Sequence, residues 1–341
     1  MREHKEMKTE KTRKRSVPRR VLRVVLCILV IFLAALAFIA THDWKSPIVD
    51  HDVTNPYIMP YGVTMVSAHR SGGGIFPENT MMAFEGCIKS ETFRTDIFEF
   101  DLHLTKDGQL VVLHDDTLDR TTDARKVFGV KNSRPEDYTL DELRKLNFGA
   151  GFTDADGGTP YAGLTGDSVP DSLRAATLEE VLDYLETNGS FRYIIEIKNK
   201  KELGYRAADR LYLVLKERDL LDKAIIGTFN AEVTRYLDET YPDMLRSASI
   251  KEVIGFYLDS VFERERADDY YGFDALQIPA NQFVIRLGTS RVTDYAHRHN
   301  IAVQYWTIND PEVMRLLKEI NADCVMSDVP DVAYRVLHDG E

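Results

Sequence analysis

Short apolar runs of strand length recur along this chain and alternate with stretches of helical period. The first three, residues 65–68, 97–104 and 110–113, have the length and composition of buried strands. Later runs at 193–197, 224–227, 245–248, 275–278, 302–306 and 324–326 read the same way. Between the later ones, residues 205–217, 231–240, 251–258, 289–300 and 311–320 carry helix signals. Alternation with short connections predicts a parallel sheet. Ionisable residues sit at the ends of the early runs: His69 and Arg70 after the first, Glu99, Asp101 and His103 within the second, His114 and Asp115 after the third. Chemistry at the C-terminal ends of successive strands is the habit of a parallel eight-stranded β/α barrel of the TIM type. Nine runs are one more than eight, so a weak later one is expected to be irregular. Residues 116–176 are long, irregular and rich in Gly, Asp and Thr, with one helical patch at 139–146. Asn79 is expected to cap the helix that begins at Thr80, and Thr177 to Glu180 has the form of a capping box.

A run of another kind precedes the barrel. Residues 24–40 are uninterrupted apolar sequence, at the short end of the roughly 17–25 residues that span a bilayer. Residues 1–23 carry ten Lys or Arg and three Glu, a net charge of +7, which leaves −19 of the formal −12 on the remainder. The expected division is a basic tail over 1–23, a transmembrane anchor over 24–41, a linker over 42–62 and a barrel domain over 63–341. Basic residues before the span put the N-terminus in the cytoplasm and the barrel outside it. The alternative is a secretory signal cleaved after Ala35-Leu36-Ala37, which would release the body. The acidic body argues against nucleic acid as a partner. Cys87 and Cys324 lie far apart in apolar contexts and read as core residues, not as a disulfide framework.

The second run carries the clearest chemistry. Alternate residues of a strand share a face, so Glu99 and Asp101 point one way and Phe98, Phe100 and Leu102 the other. Two buried carboxylates cannot both stay ionised without a partner. One divalent cation with oxygen ligands, Ca²⁺ or Mg²⁺, is the natural one. Glu196 and Lys198 share a face of another buried strand, so Glu196 becomes a third candidate ligand. His103 continues the Glu99 face. His69 and His114 can accept and donate a proton near neutral pH. Arg70 can grip a phosphate with two parallel hydrogen bonds, or pair with a carboxylate across the barrel mouth. Lys198 can neutralise phosphoryl oxygens or merely pair with Glu196. Trp306 can wall a site or pack in the core.

His69-Arg70, Pro77-Glu78-Asn79-Thr80, Glu99-x-Asp101, Thr105-Lys106-Asp107-Gly108, His114-Asp115, Leu118 to Thr122, Glu196-Ile197-Lys198 and Trp306-Thr307-x-Asn309 occur in one order over most of the chain. This series resembles the glycerophosphodiester phosphodiesterase family. Ser71 stands where that family usually has Gly. The resemblance implies a barrel with an insertion after its third strand, and hydrolysis of a small glycerophosphodiester to sn-glycerol 3-phosphate and an alcohol. It adds Glu78 to the substrate-binding residues. Two alternatives remain beside it: a phospholipase-like phosphodiesterase acting on lysophospholipid or phosphoinositide, and a non-catalytic glycerophosphate-binding protein on the same fold.

Overall fold

The computed structural model describes residues 19–267, 270–282 and 285–338. The basic tail up to residue 18 lies outside them. The chain forms two compact units, Met1–His42 and Asp43–Glu341. Among the described residues, the first unit is a single helix, Arg19–Thr41. Its stretch Arg20–Ile39 is long and apolar enough to cross a membrane.

The second unit is the expected barrel. Its strands are β1 (Met65–Ala68), β2 (Ile97–Leu104), β3 (Leu110–Val112), β4 (Arg192–Ile197), β5 (Ala224–Gly227), β6 (Leu245–Arg246), β7 (Ala275–Ile278), β8 (Asn281–Gln282), β9 (Ile285–Arg286), β10 (Ala302–Tyr305) and β11 (Cys324–Ser327). The hydrogen-bonded order is β6-β5-β4-β2-β1-β11-β10-β7, all parallel. A parallel bridge from Ser247 to Ala275 joins the two ends.

The surplus strand is not a weak later one. It is β3, which lies off the barrel and pairs antiparallel with β2, Val111 opposite His103. Chain length explains this. A parallel return needs a crossover of about a dozen residues or more, and only Thr105 to Gln109 separate β2 from β3. Those residues form a hairpin turn. The Thr105 hydroxyl donates to Asp107 at 2.6 Å and accepts from the Gln109 amide at 2.9 Å. Gly108 takes the left-handed conformation, φ 80°. The long insertion therefore leaves from the hairpin, and the third barrel strand is β4. The insertion packs on its own apolar cluster, which includes Val111, Leu113, Leu118, Leu143, Leu146 and Phe148.

The period-2 pattern of β2 sorts the core as expected. Phe98, Phe100 and Leu102 join the large cluster between sheet and helices. Ile97 joins Met65, Ile194, Ile225, Ala275, Ala302 and Cys324 in the barrel interior. The lower barrel is thus apolar, and Glu99 and Asp101 lie above it. The segment 43–62 contains no helix or strand, yet Asn55 and Tyr57 are buried in it. The Tyr57 hydroxyl donates to the carbonyls of Tyr193 (3.1 Å) and Lys223 (2.6 Å), so the ring plugs the barrel floor. Cys87 and Cys324 are buried free thiols.

Candidate active site

Glu99 and Asp101 rise from β2 into the barrel mouth and are 4 % and 1 % exposed. The parallel register places Glu196 of β4 directly beside Asp101. The Lys198 ammonium lies between them, 3.3 Å from Asp101 Oδ1 and 2.9 Å from Glu196 Oε1. Burial opposes its charge, but Asp101 and Glu196 outweigh burial and raise its pKa. Burial would raise Asp101, but Lys198, His114 and Arg70 hold it low. Burial and Asp101 together push Glu99 up to about 8, and the same two causes raise Glu196.

No set of three or more His, Cys, Asp or Glu converges at metal-binding distance among the described residues. Lys198 occupies the space between two of the carboxylates. Even so, the donors fit a hard cation. All three are carboxylate oxygens on neighbouring strands, and the burial and neighbouring Asp101 charge that raise the Glu99 pKa are penalties a bound cation would relieve.

The end of β1 turns sharply at His69, Arg70 and Ser71. Arg70 (φ 49°) and Ser71 (φ 61°) both adopt left-handed backbone, a region that glycine enters without a Cβ penalty. Ser71 adopts it with its own side chain fully buried and its carbonyl accepting from the Cys87 thiol at 3.3 Å. The turn aims the Arg70 amide at Glu99 Oε2, 2.6 Å away. It also presents the Arg70 guanidinium to Glu78, with Nη1 donating to Oε1 at 3.1 Å. The buried Arg70 Nε has no hydrogen-bond partner and is 4.0 Å from Asp101.

Each histidine is paired through Nδ1 with an aspartate. His69 meets Asp328 at 2.6 Å and His114 meets Asp115 at 2.7 Å. The second ring nitrogen of His69 is 3.9 Å from Glu99. Burial disfavours charge on His69, but Glu99 and Asp328 overcome it and raise its pKa. Asp328 is itself held by the Asn309 amide (2.8 Å). Asp115 receives two hydrogen bonds from Arg120, at 2.7 and 2.8 Å. Arg120 also grips Glu78 with two hydrogen bonds of 2.7 Å. One chain of charges thus runs from His114 through Asp115, Arg120 and Glu78 to Arg70.

An open cleft of about 710 Å³ is lined by His114, Asp115, Glu196, Lys198 and Phe229, among others. Trp306 stands at its edge, with the Phe229 ring packed edge-on at 5.8 Å. It also packs, partly buried, against the interior cluster. His103 is 1 % exposed, and neither ring nitrogen has a hydrogen-bond partner. Burial lowers its pKa, so it stays neutral. Asn79 is not the helix cap. Thr80 caps the helix Met81–Lys89 by accepting from the Ala83 amide. Asn79 (φ 56°) instead donates to Asp101 Oδ2 at 2.9 Å. The sequence gave no site role to Asp328 or Phe229, and Arg120 entered only as part of the family series from Leu118 to Thr122. Asp115 beside His114 was a local signal for one pair, whereas Asp328 lies 259 positions from His69 and left none.

The profile of the glycerophosphoryl diester phosphodiesterase family matches residues 69–332. The chain belongs to that family. The match begins at His69 and takes in both Asp–His pairs and all three carboxylates. A glycerophosphodiester phosphodiesterase of Caldanaerobacter subterraneus subsp. tengcongensis is 27 % identical over 81 % of this chain and 99 % of its own length. One from Bacillus altitudinis is 24 % identical over 80 % of this chain and 98 % of its own. The fold is shared with an Oleispira antarctica phosphodiesterase solved with its product sn-glycerol 3-phosphate. That similarity has a TM-score of 0.58 at 22 % identity and covers 80 % of this chain and 96 % of the other.

Proposed function

We propose that this family member hydrolyses glycerophosphodiesters to sn-glycerol 3-phosphate and an alcohol in this barrel mouth. The observation that carries the reading is the pair of Asp-oriented histidines beside one carboxylate cluster. With Nδ1 of each held by an aspartate, the other nitrogen is left for the substrate. One histidine removes a proton from the nucleophile, water or the glycerol 2-hydroxyl, and the other protonates the leaving alkoxide. Arg70, positioned by Glu78, and Lys198 hold the phosphoryl oxygens and offset their charge. Trp306 and Phe229 offer an apolar wall to the glycerol carbons. Glu99, Asp101 and Glu196 would hold one Ca²⁺ or Mg²⁺, which supplies Lewis-acid polarisation of the phosphoryl group. The retained acid–base pairs favour this reading over a non-catalytic binding protein on the same fold.

The test is release of sn-glycerol 3-phosphate by the purified chain from glycerophosphocholine and glycerophosphoglycerol, with Ca²⁺ or Mg²⁺ present. No release from any diester would sink the reading. Arg70→Lys is expected to raise KM more than it lowers kcat, because lysine lacks the planar fork. Unchanged kinetics would leave Arg70 with its salt bridge to Glu78 alone.

We further propose that residues 24–41 anchor the chain, with the tail over 1–23 in the cytoplasm and the barrel outside it. The apolar helix and the basic charge before it support this topology. Protease added to intact cells should digest the barrel and spare the tail. Protection of the barrel until lysis would reverse the topology, and release of a shortened chain into the medium would mean signal cleavage.

A further inference from the structure

Above the apolar layer of the barrel lies a polar one, and part of it plays no role in the chemistry described so far. Ile225, Ala275 and Ala302 belong to the interior cluster. Alternate residues of a strand share a face. Gly227 of β5, Gln277 of β7 and Gln304 of β10 therefore point into the barrel, two positions nearer its mouth. The parallel register sets Gln277 directly beside Gln304. Gln277 Nε2 donates to Gln304 Oε1 at 3.0 Å. Gln304 is fully buried, and its own Nε2 has no hydrogen-bond partner among the described residues. A buried amide donor without an acceptor costs free energy, so two glutamines are a poor choice for packing alone.

Gly227 shows what they face. It does not adopt left-handed backbone, so its conformation does not require glycine. A glycine in a strand forgoes packing and marks a place where another group approaches closely. A methyl group at this position would stand 3.2 Å from Gln277 Oε1, 3.5 Å from Ser247 Oγ and 3.9 Å from Glu196 Cγ. The space in front of Gly227 is thus bounded by an amide oxygen, a hydroxyl and a candidate cation ligand. Register places Gly227 beside Glu196. Glu196 and Phe229 both line the active-site cleft, so this space opens into it. Gln277 is only partly buried, and because it faces inward its exposed part meets the mouth.

We propose that Gln277, held by Gln304, and Ser247 read the 1-hydroxyl of the substrate glycerol across the bare face of Gly227, and so confine the site to diesters whose glycerol carries no acyl chain. This rests on the proposed hydrolysis of glycerophosphodiesters and names a part of the substrate that the histidines and cationic side chains do not touch. None of the three reading side chains is charged, which suits an alcohol and not a phosphate or an ammonium. An amide oxygen accepts the alcohol proton, and the serine hydroxyl can donate to the alcohol oxygen. With the phosphate held at Lys198 of the β4 end, the glycerol extends one strand further, and the hydroxyl farthest from phosphorus reaches Gly227. An acyl group on that oxygen removes its proton and adds bulk against the barrel wall. A site built to bond a hydroxyl rejects the analogue without one, because its own polar groups are left unpaired.

Calorimetry on the full chain in detergent with Ca²⁺ compares sn-glycerol 3-phosphate with its 1-deoxy analogue, 2-hydroxypropyl phosphate. The unmutated chain should bind the analogue about 10- to 100-fold more weakly, the loss expected when buried polar groups go unpaired. The double variant Gln277→Leu, Gln304→Leu removes both amides and strands neither. It should bind the two ligands within about threefold of each other. Ser247→Ala deletes one oxygen from a partly buried side chain and should also narrow the ratio, so it carries the test if the double variant does not fold. A ratio near one in the unmutated chain, or the full ratio kept by a folded variant, overturns the proposal. In turnover, glycerophosphocholine should react at least about 100-fold faster than 1-hexanoyl glycerophosphocholine, and equal rates would also overturn it. Hydrolysis of neither diester, with the binding ratio intact, would refute the proposed activity and leave the hydroxyl site standing.

Discussion

His69→Ala and His114→Ala are each expected to lower kcat by about 10²–10⁴, the usual contribution of a proton transferred in the transition state. That corresponds to roughly 3–5 kcal/mol of barrel-mouth stabilisation of the transition state. The double variant should lose less than the product of the two, because in the proposed mechanism both residues act on one displacement. Each histidine is oriented by its own aspartate, so the aspartates are positioning residues with a distinct signature. Asp328 raises the pKa of His69. Its replacement, Asp328→Asn, removes that support and moves the His69 limb of the pH–rate profile to lower pH. A loss of rate with an unmoved profile would assign Asp328 a purely structural part. Wild-type turnover in either alanine variant would take that histidine out of the mechanism.

Asp328 also marks the limit of what could be read from sequence. The inward carboxylates were legible because the strand period is 2, so Glu99 and Asp101 declare their shared face from spacing alone. The register of β4 against β2, which sets Glu196 beside Asp101, is a tertiary fact, yet both runs ended in charge and so pointed to one barrel end. The strand miscount had a local cause. Composition cannot distinguish a stave of the barrel from an antiparallel hairpin strand, although the short turn from Thr105 to Gln109 already excluded a parallel return. This changes how His114 reaches the site. It does not close a barrel strand but is carried over the mouth on a hairpin hydrogen-bonded to the extended end of β2. Arg120 was hidden for a related reason. It lies in the insertion, where no periodic pattern assigns a face, and only folding brings it onto Glu78 and Asp115. Asn79 shows the converse error. Its side chain suits a cap, but the left-handed backbone turns it toward Asp101 and leaves the capping to Thr80.

Removal of divalent cations by a chelator is expected to abolish turnover, and Ca²⁺ or Mg²⁺ to restore it. The argument begins with charge. Three buried carboxylates share the mouth with Lys198 and Arg70, and burial together with Asp101 leaves Glu99 holding a proton up to about pH 8. A hard cation binds only carboxylates that have lost their protons, so its binding releases protons and strengthens as pH rises. Any ligand that binds only the folded chain also stabilises it, by about 2.7 kcal/mol at a concentration 100 times its Kd. Melting temperature should therefore rise with added Ca²⁺ or Mg²⁺, and the rise should be larger above pH 8 than below it. Glu99→Gln keeps the side-chain volume and removes a buried acid. Without cation it should melt no lower than the unmutated chain, yet gain little on addition of Ca²⁺ or Mg²⁺ and turn over slowly. Asp101→Asn should lose the same gain but also some basal stability, because Lys198 then loses one of its two charged partners, at 3.3 Å, and keeps only Glu196. Full turnover in excess chelator, with no shift in melting temperature on adding either cation, would leave Lys198 as the permanent partner of Asp101 and Glu196. The phosphoryl charge would then be met by Arg70 and Lys198 alone.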